Sequence, residues 1–171
     1  MTDSLKLTPS ESVIVRRSEP SVLEVEGIWG PGGSPPPKHF HPSQDEHFEV
    51  IIGTLQARVD GDEYELSQGD TLDIPSGAVH QMWNPNDAEA RASWQTRPAS
   101  RTEAWFRAID AIHRKGRVGK NGLPGPLVFG TLLNEFPDVF RLAVAPQPVT
   151  KPLVAGLAAL GRARGYGERS G

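Results

Sequence analysis

The residues best suited to chemistry in this chain are its histidines, four of which fall within residues 39–80. His39 and His41 alternate on an extended segment, so both imidazoles leave the same face of a strand. Glu46 follows across a turn, and His80 lies just beyond a second turn. Three neutral imidazole nitrogens and one carboxylate can hold a divalent metal ion and leave positions open for substrate, water or O2. Each histidine taken alone is more typical of a hydrogen-bonded core residue or a surface residue than of a metal ligand.

The spacing around these residues follows a fixed pattern. Residues 33–53 read Gly, five residues, His-x-His, four residues, Glu, six residues, Gly. Residues 69–84 read Gly, five residues, Pro-x-Gly, two residues, His, three residues, Asn. This pattern resembles the two signature motifs of the cupin superfamily, and all ten fixed positions match. The resemblance covers about residues 12–97.

The resemblance implies a mainly β fold, the double-stranded β-helix or jelly roll, with a metal ion inside the barrel. It implies that the ligands are His39, His41, Glu46 and His80. The three-nitrogen, one-oxygen set suits Fe, Mn, Ni, Zn or Cu, and does not choose among them.

The alternation of strand residues predicts which side chains line the barrel. Phe48 shares the inward face with Glu46, and Met82 shares it with His80. Trp29 and Trp94 have the same parity on their own strands. We predict that these four side chains contact a substrate; the alternative is that they are ordinary core residues. A mainly apolar and aromatic wall suits a small organic molecule. No catalytic group beyond the ligands is identified.

The chain changes character near Pro98. Before it, short β-branched and aromatic segments separated by turns are typical of an antiparallel sandwich or barrel, and Asp60-Gly61 predicts a tight hairpin. After it, the apolar period becomes helical. The sequence therefore predicts a barrel over residues 1–98 and a helical extension over residues 99–171.

Three helices are expected in the extension. Ser100 and Glu103 have the spacing of a capping box for the first, and Thr150 is the predicted cap of the third. Their apolar faces predict packing on the barrel or across a homodimer interface, and the resemblance favours a dimer. A lid over the barrel mouth, carrying Trp105 and Phe106, is the alternative.

Composition narrows the function classes. Cysteine is absent, which excludes disulfide scaffolds, cysteine nucleophiles and thiolate metal sites. Residues 1–100 carry 7 basic and 16 acidic side chains, and residues 101–171 carry 11 and 5. No run of like charge predicts nucleic-acid binding, and no apolar stretch of about 20 residues predicts a membrane span. The beginning of the chain lacks a signal pattern, so we expect a cytoplasmic protein.

Three kinds of function fit these observations. The first is a dioxygenase or other oxidoreductase in which the metal binds O2 beside a chelating enol or diketone. The second is a metal-dependent isomerase, decarboxylase or lyase that stabilises an enolate. The third is a non-catalytic protein that binds a small ligand, since a fold does not determine a function.

Overall fold

Eleven strands and three helices make up residues 4–166 of the computed structural model, which are the residues that the structure describes. Residues 1–3 of the predicted barrel and 167–171 of the predicted extension lie outside this range. The strands are β1 (Ser4–Lys6), β2 (Glu11–Glu19), β3 (Val22–Trp29), β4 (His39–Phe40), β5 (Asp45–Ile52), β6 (Thr54–Val59), β7 (Asp62–Ser67), β8 (Thr71–Ile74), β9 (His80–Trp83), β10 (Ala90–Arg97) and β11 (Arg141–Leu142). The helices are α1 (Thr102–Arg114), α2 (Pro126–Glu135) and α3 (Gln147–Ala163).

The strands form two antiparallel sheets whose inner faces enclose the core. The first sheet has the order β1-β2-β3-β10-β5-β8, and the second has the order β11-β4-β9-β6-β7. Burial alternates along β10, as expected when one face of a strand packs on a core and the other faces solvent. The predicted mainly β jelly roll with C-terminal helices is confirmed.

The predicted hairpin also positions a histidine. Asp60 and Gly61 both have positive φ, 49° and 101°, and they connect β6 to β7. Asp60 forms two hydrogen bonds with Val79: its N–H donates to the Val79 carbonyl, and its Oδ1 accepts from the Val79 N–H, both at 2.8 Å. The hairpin thereby fixes the residue directly before His80.

A two-residue segment of the extension adds a strand to the second sheet of the barrel. Strand β11 pairs with β4, placing Arg141 opposite Phe40 and Leu142 opposite His39. Helix α1 is tied to the first strand by the Lys6 N–H, which donates to Asp110 Oδ1 at 3.0 Å. Trp105, Phe106 and Ile109 of α1 are buried in the same apolar cluster as the inner faces of the sheets.

Both predicted helix caps are wrong. Helix α1 begins after Arg101, without a side-chain cap, and Ser100 has a φ of 48°. The Glu103 carboxylate instead accepts hydrogen bonds from Ser18 of β2 and from Arg107, so a tertiary contact replaces the local one. Helix α3 begins at Gln147, which puts Thr150 inside it. None of the helices among residues 4–166 has the length and apolar character needed to cross a membrane.

Candidate metal centre

Three imidazoles converge inside the barrel. His39 lies on β4 opposite His80 of β9, and His41 follows β4 directly. One ring nitrogen from each of the three lies within 4.8 Å of the other two. His41 and His80 are buried, and His39 is half-buried. The structure thus brings together the three histidines that the sequence predicted as ligands.

Each imidazole is oriented by a hydrogen bond from its Nδ1 to a main-chain carbonyl. The carbonyls belong to Pro37 for His39 at 2.8 Å, Val139 for His41 at 2.5 Å and Ala78 for His80 at 3.0 Å. A carbonyl only accepts, so each Nδ1 carries the proton and each neutral ring keeps its lone pair on Nε2. Such outer hydrogen bonds are the usual means of fixing the tautomer of a metal-binding histidine.

Glu46 faces two of these lone pairs. Its Oε1 lies 3.3 Å from His41 Nε2, and its Oε2 lies 3.0 Å from His80 Nε2. Trp94 Nε1–H donates to Oε1 at 2.9 Å, whereas the buried Oε2 has no geometrically acceptable hydrogen-bond partner. A buried carboxylate oxygen beside imidazole lone pairs is stabilised when a cation sits between them. The residues present therefore fit a divalent metal ion.

The electrostatics of the site agree with a cation-binding role. Burial by itself would raise the pKa of Glu46, but the surrounding histidines outweigh it and lower the pKa to about 2. Burial, together with His80 and His41, holds the pKa of His39 well below its usual value. Burial opposes a charge on His80 too, but the adjacent Glu46 raises its pKa.

Aromatic rings from the extension cover the histidines. Phe140 stacks on His39, and Trp105 of α1 stacks on the ring of Phe140 at 4.8 Å. Phe106 contacts the indole of Trp94 edge-on at 5.1 Å. Sequence reasoning missed Val139 and Phe140, because no local pattern marks a segment that pairs for only two residues.

The four predicted substrate contacts all lie buried on inner faces. Phe48 stacks on Trp94 at 5.3 Å, so both rings adjoin Glu46. Met82 lies on β9 opposite Ala57. The indole of Trp29 covers Gly27, where an added Cβ would lie 2.4 Å from the ring, and its Nε1–H is buried without a partner. Their contact with a substrate stays a prediction.

A second carboxyl, which the sequence analysis also missed, belongs to Glu11. It begins β2 opposite Trp29 and shares its face with the fully buried Val13. Burial, and then the charge of Glu46, raise the pKa of Glu11 to about 7. Extending the alternation of Val13 and Val15 backwards would have placed Glu11 on the inner face.

Comparison with known proteins is consistent with this geometry. The family model of the cupin domain, Cupin_2, matches residues 26–95, which contain all four converging side chains. A solved structure of an RmlC-like cupin from Shewanella frigidimarina superposes with a TM-score of 0.53 at 17% identity, covering 60% of this chain and 88% of that one. At that identity the likeness concerns the fold.

Two curated relatives match shorter stretches. An oxidoreductase of Arthrobotrys oligospora is 40% identical over 52 residues, which are 30% of this chain and 21% of the relative. The quercetin 2,3-dioxygenase of Bacillus subtilis is 34% identical over 64 residues, 37% of this chain and 19% of the relative. The chain thus spans about a fifth of the length of these two proteins.

Proposed function

Because the chain belongs to the cupin superfamily, we propose that it binds one divalent transition metal ion and carries out a dioxygenase-type oxidation of a small organic substrate. The proposed ligands are His39, His41, His80 and Glu46. The observation that carries the proposal is the set of three Nε2 lone pairs, each fixed by a carbonyl on Nδ1, beside a buried carboxylate oxygen that lacks a hydrogen bond.

The metal ion, when bound, supplies a Lewis acid that draws electron density from a chelating enol or diketone. The chain's own residues hold the site in shape. Carbonyls hold the proton of each neutral imidazole on Nδ1 and aim its Nε2 inward, and Trp94 Nε1–H holds Oε1 of Glu46 so that Oε2 points at His80. A ligand set prepared in this way loses little freedom on binding the ion.

The inner wall favours a planar, mainly apolar substrate. Phe48 and Trp94 form a stacked pair beside the site, and Met82 and Trp29 extend the apolar surface. Such a wall excludes water from a reactive substrate and contacts the faces of aromatic or conjugated molecules. We propose these four side chains as the substrate contacts.

The names of the relatives support the oxidative class. One is an oxidoreductase and another a quercetin dioxygenase, and each matches about a third of this chain. A ligand set of three imidazoles and one carboxylate leaves coordination positions free, which oxidation by O2 requires. Isomerase, decarboxylase and lyase chemistry needs the same ligands without O2.

The metal claim is tested by the metal content of protein purified without chelators. We expect about one ion per chain in the wild type and loss of most of it in His80→Ala. His47→Ala is the matched control, because His47 lies on β5 but bonds to Asp73 at 2.7 Å outside the ligand cluster. Equal metal content in all three proteins, or none in the wild type, would contradict the proposal.

The reaction class is tested by O2 consumption of the iron-loaded protein with a panel of small enols and diketones. Uptake that depends on His80 supports the dioxygenase class. Metal-dependent isomerisation or decarboxylation without uptake would replace it with Lewis-acid chemistry. Tight binding without any turnover would make the protein a binding module.

A further inference from the structure

We propose that a groove in the helical extension is a second ligand site, which binds a small apolar molecule bearing one carboxylate. The groove lies between the end of α2, the strand β11 and the first half of α3, and its cavity measures about 290 Å3. That volume lies near the lower end of the range of about 300–1,000 Å3 that is typical of small-molecule sites, so it suits a molecule of one or two rings. The site is independent of the proposed metal centre.

The apolar lining of the groove is the first support. Leu133 of α2, Leu142 of β11 and Val154 of α3 contribute aliphatic side chains to it, and no acidic side chain lines it. Two polar residues of the lining already donate to main-chain carbonyls: Gln147 to Leu142 at 2.8 Å, and Thr150 to Ala145 at 2.9 Å. A ligand that covers the aliphatic groups removes them from water, which is favourable.

Two cationic side chains in the lining, Arg141 and Lys151, are the second support. Arg141 Nε donates to the Pro137 carbonyl at 2.8 Å, which orients the guanidinium and leaves its Nη groups without a hydrogen bond among residues 4–166. Lys151 has neither a hydrogen bond nor an ion pair in that part of the chain. The charge of Arg141 acts on Asp138, but that carboxylate is already bound to Arg101. A carboxylate is the ligand group that matches a guanidinium with free N–H groups.

The groove is separate from the candidate metal centre. None of the four candidate metal ligands lines it. Phe140 does line it, and the ring of Phe140 stacks on His39 at 4.3 Å and on Trp105 at 4.8 Å. A ligand in the groove therefore meets Phe140 and not the imidazole that Phe140 covers. The carboxylate that we assign to the groove is not a ligand of the metal ion.

The balance of charge and apolar surface selects the ligand class. A phosphate is usually held by several N–H donors, often from the main chain, whereas this groove offers two cations on a mainly aliphatic surface. One carboxylate satisfies the cations and leaves the rest of the ligand apolar. The alternative occupant is a second copy of the chain, because Val149, Leu153 and Leu160 form an exposed apolar face elsewhere on α3. The oligomeric state distinguishes the two occupants.

The test is a calorimetric titration of chelator-treated protein with 2-naphthoate, and with the neutral 2-naphthamide as the matched ligand. We expect one naphthoate to bind per chain with a Kd of about 1 mM or tighter. The amide should bind about 5-fold more weakly, and Lys151→Gln should weaken the binding of naphthoate by about the same factor. Because the metal has been removed, ligation of an ion does not contribute, and failure of the metal proposal would leave this result unchanged.

Filling the groove is the second arm of the test. Ala155→Trp puts an indole into the cavity and should abolish the binding of naphthoate, whereas Ala163→Trp, at an exposed position of α3 outside the lining, should bind like the wild type. Thermal melting checks that both variants fold. Equal binding of naphthoate and naphthamide, binding that persists in Ala155→Trp, or no binding to the wild type would overturn the proposal. A dimer on size-exclusion chromatography that Ala155→Trp dissociates would also overturn it, since a second copy would then occupy the groove.

Discussion

The ring of Phe140 stacks on the imidazole of His39, with centroids 4.3 Å apart and planes 14° from parallel. Phe140 belongs to the extension, and His39 to the barrel. The residue before Phe140 offers its carbonyl to His41, and the residues after it pair with β4. The extension therefore orients two of the three histidines of the candidate metal centre.

Replacing Phe140 tests this support directly. Phe140→Ala should weaken zinc binding about 10- to 100-fold, because His39 loses the ring that holds it in its rotamer. The measurement is competition for zinc with a chromophoric chelator. Phe129→Ala is the control, since that ring touches Phe140 but is not among the histidine contacts. If both variants bind zinc like the wild type, the stacking is not needed to hold the ligand.

Removing the whole extension tests its support of the histidines more severely than replacing Phe140 does. A protein ending at residue 98 loses the Val139 carbonyl and exposes the surface that Trp105 and Phe106 cover. We expect it to aggregate and to hold no metal, as judged by size-exclusion chromatography and metal analysis. A soluble, monodisperse barrel that binds metal would contradict the dependence on the extension.

We predict that Trp94 stabilises the folded protein through one hydrogen bond. Trp94→Phe keeps a ring beside Phe48 but removes the N–H that bonds to Glu46 Oε1. Losing the donor to a buried carboxylate should cost about 1–3 kcal/mol in the free energy of unfolding, measured by urea denaturation. Trp83→Phe is the control, because Trp83 is a half-buried indole of β9 beneath Arg58. An equal loss in both variants would show that the bond to Glu46 contributes nothing specific.

The pKa of Glu11 predicts how stability changes with pH in the metal-free protein. Burial and the charge of Glu46 raise that pKa from 4.5 to about 7, so the folded state binds the proton more tightly than the unfolded state. This stability is fully present below about pH 4.5 and is lost as the pH rises through about 7. The loss is on the order of 1–3 kcal/mol.

Glu11→Gln carries no titrating group at that position and should not show this loss. The check is the difference in urea midpoint between pH 5 and pH 8 for the variant and the wild type, with Glu49→Gln as the charge control. Identical pH dependence in all three proteins would mean that Glu11 has an ordinary pKa.

Two glycines of α3 make a matched pair. A Cβ at Gly161 would lie 2.3 Å from Thr131 Oγ1 and 2.7 Å from the Leu127 carbonyl, whereas one at Gly156 would meet nothing within 4 Å. Gly161→Ala should therefore separate α3 from α2 at a cost of about 1–3 kcal/mol. Gly156→Ala should stabilise the helix by about 0.5–1 kcal/mol. Thermal melting separates the two, and a neutral Gly161→Ala would show that the helices are not closely packed there.

Sequence reasoning found the parts of the site that are local in the chain. His39 and His41 are two residues apart, and short turns precede Glu46 and His80. Because these features lie close together in the chain, the alternation of strand residues predicted that the four side chains face the barrel interior. The contributions of Val139 and Phe140 depend on a two-residue strand that pairs far away, and no periodicity reveals such a strand. The cap predicted at Ser100 is wrong for a related reason. The Glu103 carboxylate accepts a hydrogen bond from Ser18 of β2, which is distant in the chain.

The bond from His41 to the Val139 carbonyl joins positions 98 residues apart. While the chain is being synthesised, the imidazole leaves the ribosome long before the group that will orient it. A nascent barrel thus has its histidines but lacks the carbonyl that orients His41, so the candidate metal centre is complete only after residue 139 has been added.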